Sequence, residues 1–233
     1  MKICAFAIDG ITLGKHNVKE DGLDQADKLV KAKKKTYPQV ELVAADAALD
    51  ADAIIVPRNC LTDLILKDLD FVETRLAKSA DEKEKIILDK MKAVLEKEQL
   101  ISAIGLSDQE KGLISGYGLL TLKPVVVINK EELDDIGSLL VKVLAQSGFI
   151  CFITVGDKEN RAWLIKKGTT AWEAAGAVHS DIQQGFIRAE IISFVDFISC
   201  GGETQAKQAG KMRLESKDYI MQDADLANFR FNK

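Results

Sequence analysis

The sequence predicts an α/β protein in which a short parallel sheet is interrupted by a helical hairpin and followed by a separate strand-rich domain. Three observations carry this expectation. The apolar runs Ile3–Ile8, Val40–Ala44, Ala53–Val56 and Val125–Ile128 lack the alternation of half-exposed strands and read as strands covered on both faces. From Leu61 to about Ile101 the apolar residues recur at helical spacing instead. From Gly148 onward, short apolar and alternating runs return between turn residues. The expected division is 1–60 with 121–147 for the sheet domain, 61–120 for the inserted hairpin and 148–233 for the last domain.

Composition narrows the function. The 233 residues carry 32 Lys and Arg against 36 Asp and Glu, a net charge of −4. Contact with nucleic acid therefore has to come from a local basic patch. Cys4, Cys60, Cys151 and Cys200 lie far apart with no C-x-x-C, and there are 2 histidines. This argues against a zinc site and a disulfide framework, and for buried thiols in a reducing cytosol. No segment reaches the ~18 apolar residues of a membrane span. The opening MKICAFAIDG runs into a strand-like stretch without a signal-peptide cleavage pattern. A cytoplasmic protein without a membrane partner is expected.

Along the chain, the run Ile3–Ile8 leads into Asp9-Gly10-Ile11-Thr12-Leu13-Gly14-Lys15-His16, a strand-to-loop turn. Asp27–Lys35, with the basic run Lys31–Lys35, reads as a solvated helix end. In the hairpin, Leu61, Ile65, Leu69, Val72 and Leu76 form one apolar seam. Ile87, Met91 and Val94, with Glu98 at its end, form the second, across the polar turn Ser79-Ala80-Asp81-Glu82. The mixed charges Lys67, Glu73, Lys78 and Glu82–Lys85 read as a solvated face, and a protruding arm of this kind offers a surface to a large protein partner. Ser107 and Glu110 form a capping box for a helix ending near Gly116 or Gly118. Val125–Ile128 delivers Asn129-Lys130-Glu131-Glu132 at its C-terminal end, where open parallel sheets hold ligands. Glu132 has a second reading, as the acidic start of a helix over Leu133–Gln146.

In the last third, Phe149–Val155 and Arg161–Ile165 are strands, the second closed by Lys166-Lys167-Gly168. Thr170 with Glu173 caps a short helix expected to stop at Gly176. Phe186–Ile192 alternates, with Ile187, Ala189 and Ile191 on one side and Arg188 and Glu190 on the other. Tyr219–Met221 and Phe229–Phe231 are short strands around Asp223-Ala224-Asp225. Strand, strand, helix, strand, short helix, strand, strand is the order of a β-grasp, ubiquitin-like fold. His179 has no candidate nucleophile or substrate nearby and reads as a hydrogen-bonded structural histidine.

The words RAWLIKKGTT, AAGAVHSD, GFIRAEII, GGETQAKQAGKMRLESKDYI and NFRFN, in this order, resemble the C-terminal TGS domain of the YchF/Obg-like ATPase family. Asp223-Ala224-Asp225 departs from the family's Asp-Gly-Asp, whose glycine suits a positive φ. Upstream the resemblance is patchier. It lies in Leu66–Leu69 with Val72–Leu76, similar to the family's coiled-coil insertion, and in LLTLKPVVVIN. It implies a P-loop, G-x-x-x-x-G-K-[ST], whose backbone amides cradle phosphates and whose hydroxyl holds Mg²⁺. Only Gly14 and Lys15 remain of it, because Asp9 stands at the first glycine and His16 at the hydroxyl residue. It implies a D-x-x-G phosphate sensor, of which Asp46 remains about 30 residues after Lys15, too close for both switch segments. It implies an adenine-reading N-x-x-E, matched by Asn129 and Glu132, but no base-contacting loop follows.

The fold expected with the resemblance is α/β: a shortened P-loop-type parallel sheet with an inserted antiparallel helical hairpin, plus a C-terminal β-grasp TGS domain. The function it implies is a non-hydrolysing binding or regulatory protein that contacts ribosome or RNA through the TGS domain and the hairpin. Lys166, Lys167, Arg188, Lys207, Lys211, Arg213 and Lys217 are the candidate phosphate contacts. Gly14, Lys15, Asn129 and Glu132 are the residues of a vestigial nucleotide site. One alternative is an ATP-binding sensor or weak ATPase, with ATP and Mg²⁺ as ligands. The other is a protein–protein regulator of a full-length Obg-like ATPase. No catalytic residue, metal ligand or resident cofactor is expected.

Overall fold

The computed structural model describes residues 1–79 and 81–232. Ala80, in the turn expected between the two hairpin helices, and Lys233, at the end of the last domain, lie outside the described residues. In chain order the strands are β1 Lys2–Ala5, β2 Gly14–Asn17, β3 Lys35–Thr36, β4 Gln39–Val43, β5 Ala53–Pro57, β6 Val125–Ile128, β7 Phe149–Thr154, β8 Asn160–Lys166, β9 Phe186–Ile192, β10 Arg213–Glu215 and β11 Leu226–Phe231. The α-helices are α1 Asp21–Leu29, α2 Leu61–Lys78, α3 Glu82–Leu95, α4 Asp108–Ile114, α5 Ile136–Gln146, α6 Ala171–Val178, α7 Ser180–Gln184, α8 Phe194–Cys200 and α9 Glu203–Gln208. The fold is mixed α/β. The chain divides into a unit of Met1–His16 with Val40–Leu139 and a unit of Asn17–Gln39 with Leu140–Lys233.

The first unit is organised by a five-stranded sheet in the order β2-β4-β1-β5-β6. β1 pairs in parallel with β4 and β5, and β5 pairs in parallel with β6. Ile54, Ile55 and Val56 are fully buried, as a continuous apolar run requires. In the edge strand β6 the run Val125–Ile128 is unevenly covered: Val126 and Ile128 are fully buried on one face, and Val125 and Val127 are partly buried on the other. The run expected over Ile3–Ile8 leaves the sheet after Ala5, and Ala7 turns with a φ of 51°.

α2 and α3 pack on one another with Ile65, Val72, Leu88, Met91 and Leu95 in the seam, each worth about 2 kcal/mol of burial. Glu73 pairs with Lys92 at 2.8 Å and Arg75 with Glu84 at 2.6 Å, so the two helices run in opposite directions. The second seam uses Leu88 and Leu95 in place of Val94. Glu98 lies beyond the helix, in a turn with a φ of 55°. α4 begins with the expected Ser107–Glu110 capping box and ends at Ile114, short of Gly116. The helix expected from Leu133 starts at Ile136, after a 3-10 turn over Lys130–Asp134.

The second unit holds a six-stranded sheet in the order β10-β9-β11-β7-β8-β3. β7 and β8 form an antiparallel pair, β11 joins β7 in parallel, and β9 and β10 extend the sheet antiparallel. One face packs Phe152, Ala189 and Ile191 against Ala171, Ala174 and Ala175 of α6. The other packs Ile153 and Ile192 against Leu23 of α1, Phe197 of α8 and Ala206 of α9. Residues 17–39 therefore belong to this unit: β3 pairs with Asn160 and Arg161 of β8, and α1 covers the sheet. The basic run follows α1 rather than ending it. Lys35 enters β3 and pairs with Asp24 at 2.7 Å, and Lys34 pairs with Glu159 at 3.2 Å.

Three further elements differ from the sequence reading. The α6 capping box is present, but the helix passes Gly176 and ends at Val178. Tyr219–Met221 makes a single bridge, Thr170 to Ile220, instead of a strand. The edge strand that pairs with β9 on the side away from β11 is Arg213–Glu215, which carries no clear apolar pattern. Glu190, expected to face solvent, is 7% exposed because Arg230 and Asn228 bond its carboxylate.

Candidate functional site

In the first unit the connections from β1 and β5 leave in opposite directions, toward β4 and β6 respectively, which makes the β1/β5 crevice a topological switch point. A cavity of ≈ 650 Å³ opens there, walled by the residues that follow β1, β5 and β6. Ala7, Ile8 and Asp9 come from the first, Arg58, Asn59 and Cys60 from the second, and Asn129, Lys130 and Glu131 from the third. Cys60 is the N-cap of α2 and makes no side-chain cap bond, so the positive end of an 18-residue helix begins at the cavity wall. Arg58 and Lys130 set two cations against the carboxylates of Asp9 and Glu131. The arrangement can take a small polar ligand with hydrogen-bonding edges, with Asn59 and Asn129 supplying both donors and acceptors.

The four residues expected to form a vestigial nucleotide site separate. Asn129 lines the cavity. Glu132 turns back and accepts the Asn129 backbone N–H at 2.9 Å, closing the turn before α5. Gly14 and Lys15 lie in the edge strand β2, and Lys15 is exposed there. Gly10 and Gly14 take φ of 78° and 106°, so their freedom shapes the turn into this strand. A phosphate cradle needs consecutive amides converging at the start of a helix, and an extended strand points successive amides to opposite sides. The carboxylates that line the cavity, Asp9 and Glu131, oppose a phosphate. The residues present therefore do not fit a triphosphate with Mg²⁺ in the manner of a P-loop. Arg58, Asn59 and Cys60 were missed from sequence. The signal was available, since they follow a buried strand just as Asn129 does.

The basic candidates of the second unit spread over both sheet faces. Lys166 ends β8 with its ammonium 5.9 Å from the Phe149 ring, and Lys167 follows in the turn. Arg213 stands opposite Ile191 on the α6 face and lies 5.5 Å from the Tyr219 ring centre. Arg188, two positions before Glu190, faces the other side. Lys207 lies on α9 and Lys211 pairs with Asp196 of α8 at 3.2 Å, both on the side of that second face. Lys217 sits in the loop beside α6, its carbonyl accepting the Trp172 N–H at 3.2 Å. Arg230 was missed because its partner Glu190 is 40 residues away.

His179 caps two helices. It ends α6, and its Nδ1 accepts the Asp181 N–H at 3.1 Å to start α7. Burial pushes the Cys4 thiol up to about 11 and raises that of Cys151 further, so both stay protonated and inert at neutral pH. Among the described residues no three His, Cys, Asp or Glu are grouped to hold a metal, and no helix is long and apolar enough to cross a membrane.

The family model YchF-GTPase_C, described as "Protein of unknown function (DUF933)", matches residues 149–232. The protein named Ribosome-binding ATPase YchF from Haemophilus influenzae is 34% identical over 233 aligned positions, covering 73% of this chain and 64% of the relative. Its namesakes from Escherichia coli O157:H7 and Bacillus subtilis are 36% and 29% identical with the same coverage. Over 73% of its length the chain is similar to proteins of the YchF family. It spans 64% of the length of these YchF relatives. A solved YchF GTPase from Schizosaccharomyces pombe shares the fold, with a TM-score of 0.77 over 95% of this chain and 89% of that one at 20% identity. The model match falls on the second unit of this chain, the part where the sequence resemblance is continuous.

Proposed function

We propose that this chain is a non-hydrolysing member of the YchF family that binds the ribosome or RNA, with its second unit acting as a β-grasp TGS domain and α2–α3 as a hairpin arm. The observation that carries the reading is the six-stranded sheet whose strands β7 to β11 coincide with the family match at 149–232 and carry exposed cations. Relatives named ribosome-binding support it. Loss of hydrolysis rests on Gly14 and Lys15 being drawn into an edge strand and on Asp9 facing the crevice. A ribosome-bound role places the protein in the cytoplasm.

The crevice favours a second reading, a sensor that holds an adenine nucleotide through Asn129, Arg58 and Lys130 without turnover. In either case α2–α3 offers a surface to a second protein. Co-sedimentation with 70S or 80S ribosomes across a salt series, run beside a phosphate-release assay with ATP and Mg²⁺, tests the proposal. Salt-sensitive co-sedimentation without phosphate release is expected. Absence from the ribosomal pellet at low salt, or ribosome-stimulated phosphate release, would overturn it.

A further inference from the structure

Arg188 of β9 and Arg230 of β11 stand directly opposite one another across an antiparallel pair. Both are exposed, and both face the side of the sheet that carries Glu190 and Asn228. Directly opposed side chains in such a pair have their Cβ atoms roughly 4.5–5.5 Å apart, and like charges in that position destabilise. Arg230 is fixed in place: its Nε donates to Glu190 Oε1 at 2.8 Å and its Nη2 donates to the same oxygen. Asn228 donates to the other oxygen at 2.8 Å. The buried carboxylate is thereby satisfied and orients the Arg230 fork, leaving part of its donor edge directed away from Glu190. Arg188 has no carboxylate partner among the described residues. Lys207 of α9 adds a third positive charge close enough to lower Glu190's affinity for a proton. The buried Glu190 and, beside it at the start of α9, Glu203 set two carboxylates against three cations, so positive charge remains in excess.

We propose that Arg188, Arg230 and Lys207 form a clamp for a phosphate group, taken from the backbone of an RNA strand. This rests on the ribosome- or RNA-binding reading above and names the residues that would make the contact. Two guanidinium groups on neighbouring strands present parallel N–H donors to adjacent oxygens of one phosphate, and the anion removes the repulsion that the register builds in. With Arg230 held by Glu190, the free protein is less stable for carrying Arg188 opposite it, and the stability returns when the anion binds.

The test uses the full chain, wild type and Arg188→Gln, which removes the arginine that has no carboxylate partner and leaves Glu190 satisfied. Lys207→Gln serves as a second variant on a separate helix. Thermal unfolding is followed in low millimolar inorganic phosphate against chloride at equal ionic strength, and binding by anisotropy with a labelled single-stranded RNA across a salt series. Without added anion, Arg188→Gln melts at or above the wild-type temperature. It loses the phosphate-dependent rise, binds RNA roughly 3- to 10-fold more weakly, and lowers the salt slope by about 1. Equal phosphate shifts in wild type and Arg188→Gln, or RNA binding with unchanged affinity and slope, overturn the clamp. A phosphate shift lost in Arg188→Gln but no RNA binding overturns RNA as the source and leaves a site for free phosphate. Ribosome co-sedimentation separates the two levels. If wild type and Arg188→Gln pellet equally, the clamp fails and the ribosome reading stands. If wild type fails to pellet, that reading falls.

Discussion

Asp68 of α2 and Thr121, ahead of β6, are locked together in the interior of the first unit. The Asp68 carboxylate accepts the Thr121 N–H and hydroxyl, both at 2.7 Å, and the Leu120 N–H at 3.0 Å. Asp68 is 4% exposed and Thr121 fully buried. The bonds tie the long helix to the approach of the strand that delivers Asn129. Asp68→Ala leaves buried donors without an acceptor and is expected to cost about 3 kcal/mol, read as a lower urea midpoint. Asp68→Asn, which keeps an acceptor, should lose less. Equal midpoints for wild type and Asp68→Ala would show that the lock contributes nothing.

Glu84 near the start of α3 accepts from Arg75 at 2.6 Å and also from Ser79 and Tyr117. Arg75 first, then Ser79 and Tyr117, hold its pKa down to about 2. A depressed folded-state value means that the stabilisation is fully present above the unfolded value near 4.5 and is lost as pH falls toward 2. Stability should therefore decline over that window. In Glu84→Gln the decline should be shallower, with a lower plateau at neutral pH. Identical pH profiles for the two proteins would refute this.

Ala224 adopts a φ of 59°, a left-handed backbone that costs a residue with a Cβ about 1 kcal/mol. Its N–H nonetheless donates to the Cys151 carbonyl at 2.7 Å, which holds the turn between Asp223 and Asp225 in place. Ala224→Gly should relieve the strain and raise stability by about 0.5–1 kcal/mol, a melting-temperature increase visible by calorimetry. A fall would mean that the added freedom of the unfolded chain outweighs the relief.

Nucleotide affinity, where calorimetry detects it, is expected to depend on the crevice. Asn129→Ala and Arg58→Ala should abolish it, and Lys15→Ala should leave it unchanged, because Lys15 sits in β2 outside the cavity wall. Equal loss with Lys15→Ala would return the lysine to the site.

Local signals were legible in the sequence because their causes are local. The capping boxes at Ser107 and Thr170, the buried run at Ala53–Val56 and the strands at Phe149–Thr154 and Phe186–Ile192 need only the residues within a few positions of each other. The rule that ligands gather beyond the C-terminal ends of parallel strands pointed to Asn129. Applied to β5, it would also have found Arg58.

Tertiary structure decided what depends on partners distant in the chain. Gly14-Lys15 reads as a remnant of a phosphate loop, yet the neighbouring β4 draws it into an extended edge, since backbone donors gain more from a sheet ladder than from an incomplete cradle. Residues 17–39 follow the first strands in sequence but pack with the second unit, because α1 has an apolar side that only the β7–β8 sheet covers. Glu190 reads as solvent-facing by alternation and is buried only because Arg230, 40 residues later, neutralises it. By itself the sequence determined the buried strands of the first sheet, the two long helices, the capped helices and the family resemblance. The juxtapositions that make a site, the crevice walls and the Arg188–Arg230 pair, arose only when strand order and register set which charges face each other, and at what distance.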